Sequence, residues 1–96
     1  MELDELKSIL RIDHDEDDAY LLMLQKVAQR YIADAIDQKA SLETLQQREQ
    51  FNFAVLLLVG HWYQNRLATS EVNLNDSPYG VVSLVQQLRG WYYANY

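Results

Sequence analysis

The stretch FNFAVLLLVGHWY, Phe51 to Tyr63, most constrains what this chain can fold into. It is apolar around most of a helical circumference, which is the pattern of a helix enclosed by others and not of one lying on a surface. Its uninterrupted run, Phe53 to Val59, is far short of the ~20 residues that cross a bilayer, so it predicts a buried core helix. Ser41 and Thr44 can each cap such a helix, and Thr44 with Gln47 fits a capping box. The helix is therefore expected to begin between Ser41 and Thr44 and to run to about Arg66.

The flanking segments supply what must surround it. Leu3, Leu6 and Ile9/Leu10 predict a short amphipathic first helix ending near Arg11, a small lid. From about Asp17 to Asp37, Leu21, Leu24, Ala28, Tyr31/Ile32 and Ala35 form one stripe, opposed by Gln25, Lys26, Gln29 and Arg30. LATSEVNLNDSPYG then loses periodicity and gathers loop formers, with a helix start near Ser77-Pro78. Val81, Leu84/Val85, Leu88 and Trp91/Tyr92 make the last stripe, with Gly90 as its expected stop. Strand alternation is almost absent. The expected fold is all-α, a single domain of about four helices with a central buried third helix. Gly60, inside that third helix, implies a close approach by another helix, since glycine there costs about 1 kcal/mol relative to alanine.

Ninety-six residues suit one core without covalent staples. With no cysteine, disulfides, thiolate metal sites and cysteine nucleophiles are excluded. Glu2, Asp4 and Glu5 do not resemble the basic lead of a secretory signal. The net charge of -6 is not diffuse. Residues 1–18 hold eight acids against Lys7 and Arg11, whereas the remaining residues hold six acids and six bases. Lys26, Arg30, Lys39, Arg48, Arg66 and Arg89 are spread singly in sequence, so no run of bases neutralises several phosphates together.

RIDHDEDDAY places five carboxylates between Asp13 and Asp18, interrupted only by His14. Asp13, Asp15 and Asp17 imitate the first ligands of a calcium-binding EF-hand loop. The pattern then fails, because Asp18 stands where glycine is required and Leu24 where a bidentate glutamate is required. A helix start is the simpler expectation: unpaired backbone N–H groups and the helix dipole favour acids there by roughly 0.3–1 kcal/mol each. His14 and His61 stand apart, no HExxH pair or glycine-rich phosphate loop exists, and no serine sits in a nucleophile context. Neither an enzyme nor a cofactor is indicated.

HWYQNR, His61 to Arg66, closes the apolar helix. Leu58 and Trp62 share a face, His61 and Asn65 form a polar edge, and Arg66 is placed to stack on Trp62 or to pair with Asp17 or Asp18. LKSILRIDHDEDDAYLLMLQKVAQRYI, followed by AVLLLVGHWYQNR, a turn with Pro78 and GVVSLVQQLR, resembles the small head-tail connector, or DNA-packaging adaptor, proteins of long-tailed bacteriophages. Leu10, Arg11, Ile12 and Asp13, with His61, Trp62, Tyr63, Asn65 and Arg66, are the most specific pieces. The resemblance implies a non-enzymatic ring subunit beneath the portal, with later head-completion or tail proteins as partners, DNA merely enclosed, and no membrane. WYYANY is less family-like. Its Trp91, Tyr92, Tyr93 and Tyr96 exceed what one short helix end buries and are candidate interface residues, the alternative being a frayed tail or one folded back on the core. A helical protein-interaction domain encoded by a host has the same composition, and an acidic DNA mimic would need its carboxylates spaced along a surface instead of bunched.

Overall fold

The computed structural model describes residues 2–65 and 79–96, which form five helices: α1 (Leu3–Leu10), α2 (Asp18–Ile36), α3 (Leu42–Gln46), α4 (Glu49–Gln64) and α5 (Tyr79–Asn95). No strand occurs among the described residues. Helices α2, α4 and α5 pack on one another, α3 closes the α2–α4 end, and α1 lies across the start of α2. No helix of the described residues is long and apolar enough to cross a membrane.

The single third helix expected from Ser41–Thr44 to Arg66 is in fact two, α3 and α4, so the central buried helix is the fourth of five. Its break has a geometric cause. Leu45 and Phe51 are both fully buried, yet six residues on a continuous helix would set them about 120° apart, too far round to share one core-facing stripe. The backbone resolves this at Arg48, which is extended (φ -95°, ψ 125°) and lets each segment turn its own apolar face inward. The Asn52 amide bridges the joint by donating to the Gln46 carbonyl at 2.9 Å. The expected capping box is absent: Thr44 lies inside α3, and neither Ser41 nor Arg48 makes a side-chain cap hydrogen bond.

Helix α4 buries Phe51, Ala54, Val55, Leu56, Leu58, Val59 and Trp62. Phe53 remains half exposed, so the enclosure is not complete. On α2, Leu21, Ala28 and Ile32 are buried as the stripe predicts. Gln25, expected on the polar face, is also buried, and Ala35, expected inward, is exposed. Ala33 and Ile36 complete the inner face in its place.

At the other end of the chain, Gly90 does not stop α5, which continues to Asn95. The reason is the apolar row beyond it: Trp91 and Tyr92 pack against the core, and that burial outweighs the ~1 kcal/mol that a helical glycine costs. The expected loop at Leu67–Pro78, the start at Ser77-Pro78 and Arg66 lie outside the described residues.

Candidate functional site

Leu10, Arg11, Ile12 and Asp13 build the corner after α1. Arg11 adopts a left-handed conformation, φ 60° and ψ 41°. Its N–H bonds to the Ser8 carbonyl, and that of Ile12 reaches back to the Lys7 carbonyl at 2.9 Å. These are the paired bonds of a Schellman stop, which turns the chain sharply and satisfies carbonyls that the helix leaves open. Leu10 and Ile12, on either side of the turn, both pack on the core. A Cβ at Gly60 would lie 3.2 Å from Leu10 Cδ2, so Gly60 is where the end of α1 presses on α4. Asp13 is exposed.

The acid cluster does more than start a helix. Asp18 sits in the first turn of α2, but Asp17, at the cap position, makes no side-chain cap bond. Instead Lys7, whose side chain is only 11% exposed, is held between two of these acids, 2.6 Å from Asp15 Oδ1 and 2.8 Å from Asp18 Oδ1. Hydrogen bonds that the ammonium donates to Asp15 first and Asp18 second raise the Lys7 pKa above its ordinary value against the cost of burial. The same ammonium, by hydrogen bond and then by charge, lowers that of Asp15. The Tyr63 hydroxyl donates to Asp17 Oδ2 at 2.5 Å, and its ring lies against Tyr20 at 6.4 Å. His14 stands 4.0 Å from the same carboxylate. The cluster thus ties α1 and the end of α4 to the start of α2. Among the described residues no group of three or more His, Asp or Glu is placed to hold a metal ion.

Of the second motif, Trp62 is buried and meets Tyr31 edge to face at 6.1 Å. Asn65 donates from its side chain to the His61 carbonyl at 2.7 Å, finishing α4 with the polar edge expected from their spacing. The expected approach of the end of α4 to Asp17 is present, made by Tyr63. Arg66 is outside the described residues.

At the far end, the Arg48 guanidinium lies 4.4 Å over the Trp91 ring, anchoring α5 to the α3–α4 joint. Tyr92 stacks on Tyr96 at 5.0 Å, and Trp91 meets Tyr96 edge to face. Burial, then the nearby Asp37, pushes the Tyr92 phenol pKa upward. The Tyr93 hydroxyl donates to Asp37 Oδ2 at 3.1 Å. The four aromatics therefore divide: Trp91 and Tyr92 face the core, while Tyr93 and Tyr96 are 58% and 72% exposed.

Sequence reasoning passed over Lys7 as a structural residue. The signal was present, since Leu3, Leu6, Lys7 and Leu10 follow the i, i+3, i+4, i+7 spacing of a buried face. The Arg48–Trp91 contact had no comparable signal, because its partners are remote in sequence.

The sequence model of the phage gp6-like head-tail connector protein matches residues 1–89. The chain belongs to that family. No curated protein and no solved structure matches it. The connector is thus a structural phage protein of the virion, and Leu10–Asp13 and His61–Arg66 lie within the matched span. The match ends at Arg89, before the four clustered aromatics. Within the connector, the described residues of the two motifs make turns, close packing and inter-helix ties, which are architectural uses.

Proposed function

We propose that this connector is a subunit of a closed ring seated beneath the portal of a DNA-filled head, where it extends the channel and offers a platform to later head-completion or tail proteins. The observation that carries the reading is the family match across residues 1–89. Assembly would take place in the host cytoplasm before the ring takes its place in the virion. The chain acts without catalysis or cofactor. DNA is enclosed and slides past a protein whose net charge of -6 disfavours adhesion to phosphate. Tyr93 and Tyr96, exposed and beyond the matched span, are suited to contact the partner particular to this phage.

The test is to remove the chain from an otherwise complete assembly system and image the heads. Heads that package DNA but fail to retain it or to join tails, and that are completed by added connector appearing as a ring at the portal vertex, are expected. Normal particles without the chain, or its failure to join portal-bearing heads, overturn the reading.

A further inference from the structure

The side of the molecule formed by α2 and α5 carries an apolar strip with basic rims. Tyr31 and Ala35 of α2, with Val81, Val82 and Val85 of α5, line a groove of about 280 Å³. The row continues along α2 through Val27 and Met23, 47% and 62% exposed, and Val82 is 45% exposed. By helical period Lys26 and Arg30 flank this row on its outer side, and Arg89 lines the groove on the α5 side. The one carboxylate on the α2 rim, Asp34, is engaged by Arg30 at 3.5 Å. Asp37, farther along, accepts from Tyr93. Helix α5 contains no acid. Lys26 and Arg30 thus border the strip on the α2 side, and Arg89 borders it on the α5 side.

The complementary surface lies on the same molecule. Helix α1 shows solvent an exposed Ile9, flanked by the exposed Glu2 and Glu5, and the corner that follows exposes Asp13 and Glu16. One copy cannot satisfy itself. Asp18, which anchors α1 through Lys7, and Val27 are nine residues apart, about 180° round α2, so the two surfaces face opposite ways. Two different, complementary patches on opposite sides make a head-to-tail contact that repeats from copy to copy.

We propose that the Met23–Val27–Tyr31 and Val82–Val85 strip receives the Ile9 face of α1 and the Asp13–Glu16 corner from a second copy of this chain. Lys26 and Arg89 meet the neighbour's carboxylates. The assignment rests on the ring reading and names its interface. The exposed Met23 and Val27 favour a protein over nucleic acid, since a phosphate backbone leaves them unburied.

Charge reversal tests it. A strip variant, Lys26→Glu with Arg89→Glu, and an end variant, Glu5→Lys with Asp13→Lys, are compared with the native chain by sedimentation up to millimolar concentration, with helicity checked by circular dichroism. Each variant alone should self-associate about tenfold more weakly, as expected when like charges face one another across a rim. An equal mixture should recover native association, because acid then meets base in both pairings. Carbodiimide coupling of mixed isotope-labelled native chains should join Lys26 of one copy to Glu5, Asp13 or Glu16 of another. A mixture that fails to recover, or couplings that map elsewhere, overturns this interface and leaves the ring intact. A native chain that stays monomeric at millimolar concentration also overturns it, while incorporation into portal-bearing heads separately decides the ring reading. Binding of short duplex DNA that the strip variant loses would assign the strip to nucleic acid instead.

Discussion

Gly60 shows how one missing side chain sets a packing distance. Its lack of a Cβ brings Leu10 into contact with α4, and the atom that an added Cβ would meet, Cδ2, is the movable tip of a leucine. Gly60→Ala should therefore be near neutral, since about 1 kcal/mol of helix propensity gained offsets a small shift of Leu10. Gly60→Leu has no such escape and should destabilise by about 1–3 kcal/mol through overpacking, read from denaturant unfolding. Truncating Leu10 to alanine should then cost less beside Gly60→Leu than in the native chain, because the two positions share one space. Equal costs in both backgrounds would show that the contact does not exist.

At the scale of elements, the sequence revealed helices wherever an apolar stripe ran uninterrupted, as in α2, whose observed ends differ from the expected ones by one residue each. It misled where tertiary burial overrode a local signal. The joint between α3 and α4 is invisible to periodicity because both halves are helical, and only the shared burial of Leu45 and Phe51 demands it. Gly90 is a sound stop signal locally, and the Trp91 contact with Arg48 carries α5 past it. Nothing lies within 4 Å of a Cβ built there, so Gly90→Ala should stabilise by about 1 kcal/mol and raise Tm by about 4–8 °C. An unchanged Tm would mean that α5 frays from Arg89 onward.

Helix α1 depends on charge as well as on the burial of Leu6. Asp15 has a lowered pKa and Lys7 a raised one. The carboxylate's contribution is present above the ordinary carboxylate range and is lost as pH falls through its lowered value. That of the ammonium is present below the ordinary lysine range and is lost only as pH rises through its raised value. Lys7→Met should thus lower stability by a constant amount between about pH 5 and pH 10, with the gap to the native chain closing below about pH 4. Amide exchange in Leu3–Leu10 should quicken before that of α4. A gap independent of pH down to pH 2, on the order of two units below the carboxylate range, would assign the effect of Lys7 to packing alone.

For the whole molecule, family membership accounts for residues 1–89 and leaves a short aromatic end whose use has to be read from its geometry. The chain's composition announced that end but not its division of labour, because sequence counts rings and cannot tell which of them a helix turns inward. Cutting the chain after Gly90 would confuse two roles, since it removes Trp91 from under Arg48 together with the exposed tyrosines. Replacing Tyr93 and Tyr96 with serine separates them. Tyr93 loses a bond to Asp37, and Tyr96 loses ring contacts with Tyr92 and Trp91. Such surface contacts contribute about 0.5–1.5 kcal/mol each, so the variant should keep its helicity with a modestly lower Tm. On the proposed ring reading, its heads should still acquire the connector at the portal, because the strip on α2 and α5 and the acidic end of α1, proposed to join its copies, are untouched. They should fail at the next step, accumulating without the protein that normally follows. Imaging of purified particles, with their protein content measured by mass spectrometry, distinguishes that arrest from a failure to bind the portal. Complete, infectious particles from the double variant would remove the aromatic end from the partner surface.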